Sequence, residues 1–215
     1  MKLIVNGDDF GLSSGVNRGI VEAHTRGILT SASLMVEAPA SEEAAHLASS
    51  YRGLGVGLHA VIDTALEATP RDAVESQLER FIELTGQLPT HVDSHHDVHH
   101  EAGLLAPFLA VTRSYGLPLR GHCGVRQISS FYGRWNGETH PEQITPGALA
   151  RILRAEPNDG ISELCCHPGY VDEQLESSYS AEREAELHTL CDRAVVELLG
   201  ELDIRLATFR EVPAR

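Results

Sequence analysis

The sequence predicts an α/β fold built around a parallel β-sheet. Three observations support this prediction: the chain has 215 residues, strand-like apolar runs alternate with helix-like segments, and titratable side chains recur where the strand-like runs end. Alternating strands and helices are typical of a parallel sheet, because a helix carries the chain back between parallel strands. The pattern leaves open whether the sheet is wound open or closed into a barrel.

Seven short runs have strand character, because they are rich in apolar and β-branched residues and are bounded by turn formers. KLIVN, near the start, is the plainest of them. The predicted strands are residues 2–6, 29–37, 54–62, 89–96, 117–121, 161–167 and 204–209.

Six segments between the strands have helical periodicity and end signals. Pro70 and Gly86 bracket one of them, and Thr145 precedes another, with Pro146 in its first turn. The predicted helices are residues 13–27, 41–51, 70–86, 101–116, 145–156 and 180–200.

One long irregular stretch, residues 122–144, interrupts this alternation. A stretch of this kind is more often a site loop than a domain boundary. The length suits one domain, so we expect residues 1–215 to form a single domain.

The composition narrows the classes of partner. A net charge of −14 argues against nucleic acid and anionic membrane surfaces, since both require clustered positive charge. The sequence contains no apolar run long enough for a membrane span and no signal-peptide pattern, so a cytoplasmic location is expected. Cys165 and Cys166 are expected to be reduced thiols in the core. The sequence has no CxxC motif, so a zinc ribbon is not expected.

The stretch NGDDFGL places two adjacent carboxylates, Asp8 and Asp9, directly after the first strand-like run. A turn is one interpretation, because Asn, Gly and Asp are all turn formers. A site is the other, because like charges side by side are unfavourable unless a cation lies between them.

The ends of the other strands favour the site. His59 lies near the end of the third strand and His95 near the end of the fourth, and parallel strands meet at one edge of the sheet. An Asp and two His from three strands can form a metal-binding triad with open positions. Asp9, His59 and His95 are therefore the predicted metal ligands, although His59 could also be a core histidine with a hydrogen-bond partner.

Two further groups complete the predicted chemistry. Asp8 is the candidate general base for an attacking water, and His167, at the end of the sixth strand, is the candidate acid for the leaving group. His91 is expected to pack in the interior. Arg183 is expected on a solvated helix face with ion pairs.

At these residues the chain resembles the YdjC-like family of carbohydrate deacetylases, which includes chitooligosaccharide and hopanoid-associated deacetylases. The matching pieces are IVNGDDFGLSSGVNRGI near the start, then GLHA, PTHVDSHHDVHH, CHPGY and SYSAEREAEL in that order. The resemblance implies a TIM-barrel-like (β/α) barrel, here of seven strands with six or more helices. It also implies one divalent metal ion on Asp9, His59 and His95, with Asp8 as the base.

Two departures from the family pattern concern the substrate. Asp97 stands where the family has the third histidine of SHHHVH, which suggests altered substrate contacts. The segment between His59 and Pro89 is also shorter than the family's usual pattern, and loops of this kind shape a pocket.

The leading hypothesis is metal-dependent removal of an acetyl group from an N-acetylated sugar, with Arg120 or a backbone N–H donating to the oxyanion. A metal-dependent phosphoesterase is one alternative, and a non-catalytic sugar-binding module is another. The sequence leaves open Mg²⁺ or Zn²⁺ as the metal, mono- or oligosaccharide as the substrate, and monomer or homodimer as the assembly.

Overall fold

A computed structural model describes residues 1–63, 69–173, 175 and 177–213. Nine strands and seven α-helices are present among these residues. In chain order they are β1 (Lys2–Phe10), α1 (Ser14–Arg26), β2 (Ser31–Leu34), α2 (Ser41–Ser50), β3 (Gly55–Ala60), α3 (Pro70–Thr85), β4 (Val92–Ser94), α4 (Leu105–Tyr115), β5 (Arg126–Ile128), β6 (Arg134–Trp135), β7 (Glu138–Thr139), α5 (Pro146–Ala155), β8 (Ile161–Cys166), α6 (Ala181–Leu190), α7 (Arg193–Glu201) and β9 (Arg205–Leu206).

Seven of the strands form one parallel sheet in the order β4-β3-β2-β1-β8-β5, with β9 paired to the start of β1. The sheet is strongly curled. Flat strands spaced about 4.8 Å apart would place β4 and β8 roughly 19 Å from each other. Instead, the guanidinium of Arg120 contacts Asp93 of β4 and Glu163 of β8 at 2.8 Å each.

The predicted α/β fold with a parallel sheet is confirmed, but closure into a complete barrel is not. No hydrogen-bonded ladder joins β4 to β5 among the described residues, so the sheet is a curled half-barrel there. The predicted strand at 117–121 makes one isolated bridge, Leu119 to Val92. The sheet instead includes β5 at Arg126–Ile128. This strand was not predicted because it has only three residues, two of them polar, and so shows no strand pattern.

The predicted helix at 180–200 is two helices. The first ends at Leu190, and the side chain of Asp192 then accepts a hydrogen bond from the Ala194 N–H and so begins the second. The predicted irregular stretch at 122–144 contains β5 and the hairpin of β6 and β7. Part of the short segment between His59 and Pro89, residues 64–68, lies outside the described residues.

The inside of the curled sheet changes from apolar to polar along its strands. Ile4 belongs to a small apolar cluster with Phe209 at the end where β1 begins, whereas Leu3 and Val5 face the main core under the helices. Above Ile4, the same face of β1 presents Asn6 and then Asp8. The apolar cluster therefore closes one end of the sheet, and the polar side chains collect at the other.

His91 lies between these two zones and packs as expected. It is fully buried, and its ring stacks on Phe209 with 3.8 Å between the ring centroids. Its Nδ1 and Nε2 lie 3.0 Å from Thr90 Oγ1 and 3.2 Å from Ser33 Oγ. The ring leaves no room on β3, where a Cβ added to Gly57 would lie 2.3 Å from its Cε1 atom.

We expect Gly57→Ala to lower the free energy of unfolding by about 1–3 kcal/mol, because the new methyl group would overpack the His91 ring. Urea denaturation monitored by circular dichroism measures the change. Gly200→Ala is the matched control: a Cβ there meets nothing within 4 Å, and alanine in a helix should raise stability by about 0.5–1 kcal/mol. Equal stability of Gly57→Ala and the parent protein would contradict the steric argument.

Candidate active site

The candidate site is a cavity of about 510 Å³ at the carboxyl ends of β1, β3, β4 and β8. Six of the seven side chains predicted from the sequence line this cavity: Asp8, Asp9, His59, His95, Asp97 and His167. The seventh, Arg120, is fully buried against Asp8 and has no exposed surface. The strand ends therefore bring the predicted groups together.

Asp8 and Asp9 both reach the cavity because β1 is irregular at this point. Neighbouring residues of a regular strand point to opposite faces. Asp9 instead has a φ of 66°, and the pairing of β1 with β2 shifts register between Gly7 and Phe10. A bulge of this kind re-aims a side chain. The stretch NGDDFGL is thus mostly strand, and the alternative interpretation as a simple turn is wrong.

Three atoms from the predicted metal ligands form a nearly equilateral triangle. Asp9 Oδ1 lies 3.3 Å from His59 Nε2 and 3.2 Å from His95 Nδ1, and the two nitrogens are 3.4 Å apart. Zinc ligands at 2.0–2.2 Å from the ion lie about 2.8–3.6 Å from one another at angles of about 90–109°. Asp9 Oδ1 is also buried without a hydrogen-bond partner among the described residues. The triangle fits a divalent metal ion.

The ring of His59 is oriented from behind by a carboxylate. His59 Nδ1 donates to Asp93 Oδ1 at 2.7 Å, which directs Nε2 at the triangle. Burial acts to lower the pKa of His59, but the charges of Asp93 and Asp8 raise it well above its usual value. Burial likewise acts to raise the pKa of Asp9, and His59, His95 and Arg183 together bring it well below its usual range.

Asp8 is paired with Arg120 through two hydrogen bonds. Nη2 donates to Oδ1 at 2.7 Å and Nη1 donates to Oδ2 at 2.8 Å, while the Asn6 side-chain amide donates to Oδ1 at 2.8 Å. Burial acts to raise the pKa of Asp8, but the charge and hydrogen bonds of Arg120 lower it below its usual value. Asp8 is therefore a fixed, ionised carboxylate at the edge of the cavity.

Arg120 uses all of its nitrogens on acidic side chains. Nε donates to Glu163 at 2.8 Å, and Nη2 also lies 2.8 Å from Asp93. Burial raises the pKa of Glu163 to about 7 despite this contact, since the one guanidinium is shared with Asp8 and Asp93. The substrate contact expected of Arg120 stays a prediction, and this geometry favours a positioning role under Asp8 instead.

His167 is fixed through its backbone by Glu186. The backbone N–H of His167 donates to Glu186 Oε2 at 2.5 Å, and the Tyr179 hydroxyl donates to the other carboxylate oxygen. Burial lowers the pKa of His167 and raises that of Glu186 to about 8. The Gly133 N–H donates to the same Tyr179 hydroxyl. These hydrogen bonds connect Gly133, which directly precedes β6, to Tyr179 in the wall of the cavity.

Aromatic side chains form another part of the wall. Tyr132 stacks on Tyr179 with nearly parallel rings and 4.8 Å between their centroids, and both line the cavity. Asp97 lies on another side, where it accepts a hydrogen bond from Gln127 Nε2 at 3.4 Å and stands 3.6 Å from Arg120 Nη1. Neither tyrosine was predicted for the site, since tyrosine in a loop gives no pattern of its own.

Arg183 is not on a solvated helix face, and that prediction is wrong. Its side chain is 2% exposed, lines the cavity and donates through Nη2 to Asp9 Oδ2 at 2.6 Å. Its Nη1 is buried without a hydrogen-bond partner among the described residues. The closely spaced charges of EREAE predict a solvated helix face. Arg183 is instead among the buried residues of α6 and points into the site.

The prediction that both adjacent cysteines are core residues is half right. Cys166 is fully buried and its Sγ donates to the Asn6 carbonyl, but Cys165 faces the cavity and its Sγ lies 3.4 Å from Asp8 Oδ2. The period of two along β8 places Glu163, Cys165 and His167 on one face. Because His167 was predicted to face the site, the same period of two predicts that Cys165 faces it as well.

A model of the family described as "YdjC-like protein" matches residues 2–76 and 65–201. The chain belongs to the YdjC-like family. It is 35% identical over 241 residues to a carbohydrate deacetylase of Geobacillus stearothermophilus, covering 97% of this chain and 96% of that one.

Two further comparisons cover nearly the whole chain. A chitooligosaccharide deacetylase of Klebsiella pneumoniae is 33% identical over 251 residues, which are 98% of each chain. A crystal structure from Enterococcus faecalis, of a protein named for cellobiose-phosphate cleavage, superposes with a TM-score of 0.81 at 27% identity and covers 97% of each chain. This YdjC-like chain therefore shares its fold over nearly its whole length with the Enterococcus faecalis protein.

Among the described residues of this YdjC-like chain, the helices are all too short or too polar to cross a membrane. The cytoplasmic location, the homodimer and the exclusion of nucleic acid stay predictions.

We expect His95→Ala to weaken metal binding by more than the roughly 10–100-fold that loss of an outer hydrogen-bond partner costs, because it removes one corner of the triangle. Isothermal titration calorimetry, in which a divalent metal is added to metal-free protein, measures the affinity. His46→Ala, an exposed histidine of α2, is the matched control and should bind as the parent does. Unchanged affinity in His95→Ala would remove His95 from the ligand set.

Proposed function

We propose that this YdjC-like chain is a metal-dependent hydrolase that removes the acetyl group from an N-acetylated sugar. The observation that carries the proposal is the triangle of Asp9, His59 and His95 beside the ionised Asp8. Relatives named carbohydrate deacetylase and chitooligosaccharide deacetylase support the same reaction. An N-acetylated sugar or chitooligosaccharide is accordingly the substrate class we propose.

Asp9, His59 and His95 would bind the metal, and both Zn²⁺ and Mg²⁺ stay open. When bound, a divalent ion supplies Lewis acidity toward a carbonyl oxygen and lowers the pKa of a water molecule. Asp93 orients His59 for this role, since a ligating histidine that donates its other N–H to a carboxylate is fixed in tautomer and direction.

Asp8 acts as the general base in this proposal. Its carboxylate is ionised and is held in one orientation by Arg120 and Asn6. A base must lie within hydrogen-bond reach of the proton that it removes, and Asp8 stands directly beside the metal ligand Asp9 at the cavity wall. As water attacks the acetamide carbonyl, Asp8 takes its proton.

His167 acts as the general acid. It lines the cavity on the β8 side and its backbone is fixed by Glu186. A lowered pKa makes the imidazolium a stronger proton donor toward the departing amine, although it also reduces the fraction that is protonated. Breakdown of the tetrahedral adduct then leaves acetate and a free amino sugar.

Arg183 is the better candidate than Arg120 for contact with the developing oxyanion. The nitrogens of Arg120 all lie against acidic side chains, whereas Arg183 Nη1 is buried in the cavity wall without a partner among the described residues. Tyr132, stacked on Tyr179, offers an exposed aromatic face to a sugar ring. Asp97 would contact sugar hydroxyls across the cavity.

The deciding experiment measures acetate release from a panel of N-acetylated sugars, from monosaccharide to chitooligosaccharide. Protein stripped with EDTA is compared with protein reloaded with Mg²⁺, Zn²⁺, Mn²⁺ or Co²⁺. Metal-dependent acetate from one substrate supports the deacetylase. Phosphate release from sugar phosphates would favour the phosphoesterase, and saturable sugar binding without any product would favour the binding module.

We expect Asp8→Asn to lower the rate of acetate release by about 10²–10⁴-fold, because the amide cannot accept the proton from water. The amide keeps the shape of the side chain, so metal content measured by atomic emission should stay at the parental level. If this variant instead lost its metal as His95→Ala does, the roles of Asp8 and Asp9 would have to be exchanged.

A further inference from the structure

A second group of side chains with metal-ligand chemistry lies beside the triangle. One ligand atom from each of Asp8, Cys165 and His167 falls within 4.8 Å of the others. We propose that these three residues form an inhibitory cation site, which binds a thiophilic divalent ion such as Zn²⁺ and stops the reaction. The inhibition rests on the proposed function, but the binding of the ion does not.

The donor set matches zinc chemistry. Zinc binds cysteine sulfur at 2.3 Å and carboxylate oxygen at 2.0–2.2 Å, so these two ligands lie about 3.1–3.7 Å apart when they share one ion at angles of about 90–109°. Cys165 Sγ lies 3.4 Å from Asp8 Oδ2. The two atoms now form a weak hydrogen bond, and they are already separated by the distance that a shared ion requires.

His167 supplies the third ligand. Its Nδ1 atom is buried 4.0 Å from Glu186 Oε1 and has no hydrogen-bond partner among the described residues, so no hydrogen bond of that nitrogen fixes the ring. Cys165 and His167 lie two residues apart at the end of β8, so both side chains are on the inner face of the sheet.

The local charge does not oppose a second cation. Asp8 lines the cavity, and Asp8, Asp93 and Glu163 share the single guanidinium of Arg120 behind its wall, so carboxyl groups outnumber guanidinium groups there. On binding, the Cys165 sulfur gives up its proton to solvent and forms a bond to the ion, with no change of oxidation state. Mg²⁺ prefers oxygen ligands and should not occupy the site.

An ion in this site would block catalysis through both proton-transfer groups. It would occupy an oxygen of Asp8, the proposed base, and a nitrogen of His167, the proposed acid. A first equivalent of zinc on the triangle would then activate the protein, and excess zinc would inhibit it. Magnesium should activate without any inhibitory phase.

Cobalt titration tests the binding directly, because a cobalt–thiolate bond gives a charge-transfer absorption that oxygen and nitrogen ligands do not. Metal-free parent protein is expected to bind two equivalents of Co²⁺ and to show the sulfur band. Cys165→Ala should bind one equivalent without the band. Cys191→Ala, which removes a partly buried thiol at the end of α6, is the matched control and should behave as the parent.

Zinc added to the Mg²⁺-loaded protein tests the consequence. We expect the parent and Cys191→Ala to lose about 10²-fold or more in rate, because both proton-transfer groups are taken. Cys165→Ala, compared with its own starting rate, should lose far less. One cobalt equivalent without a sulfur band in the parent would overturn the proposal, as would equal zinc inhibition in Cys165→Ala. The cobalt result stands whether or not acetate is released, so it separates this proposal from the deacetylase.

Discussion

The buried guanidinium of Arg120 is the contact on which the rest of the site depends. It lies inside the curled sheet and binds one acid from each of three strands, Asp8 of β1, Asp93 of β4 and Glu163 of β8. Removing one partner from a buried cluster of this kind leaves an uncompensated charge and is strongly destabilising. The cluster therefore fixes the curl of the sheet and the direction of Asp8 and, through Asp93, the ring of His59.

Much of this arrangement could be predicted from the sequence. Strand periodicity and the rule that parallel strands end at one edge sufficed to bring Asp9, His59 and His95 together from positions far apart in the chain. Only His59 lies within an apolar strand whose faces are set by alternation, whereas Asp9 lies at the bulge of β1 and His95 directly follows β4. The three-residue β5 and the break at Asp192 had no comparable signal, because short polar segments take their structure from their neighbours.

The errors share one physical origin. The local sequence predicts a solvated helix face for Arg183 and a core position for Cys165, but both side chains face the cavity. The residue type alone does not determine which part of the protein a side chain contacts. Only the packing of α6 against the strand ends makes Arg183 a partner of Asp9. The bulge at Asp9 is similar: a positive φ at an aspartate depends on the tertiary contacts that compensate it, which sequence periodicity does not describe.

The pairing of β1 has a consequence for how the protein is made. This central strand pairs with β2 close by in sequence, but also with β8 and β9, more than 150 residues later, as in the register of Asn6 with Cys165. Contacts of such separation slow folding and leave strand edges exposed in the meantime. During synthesis, β1 with Asp8 and Asp9 cannot pair with β8 and β9 until nearly the whole chain has been made. The candidate site is thus expected to be among the last parts of the molecule to form, and a chain stalled during synthesis would expose the edge of β1 before the site exists.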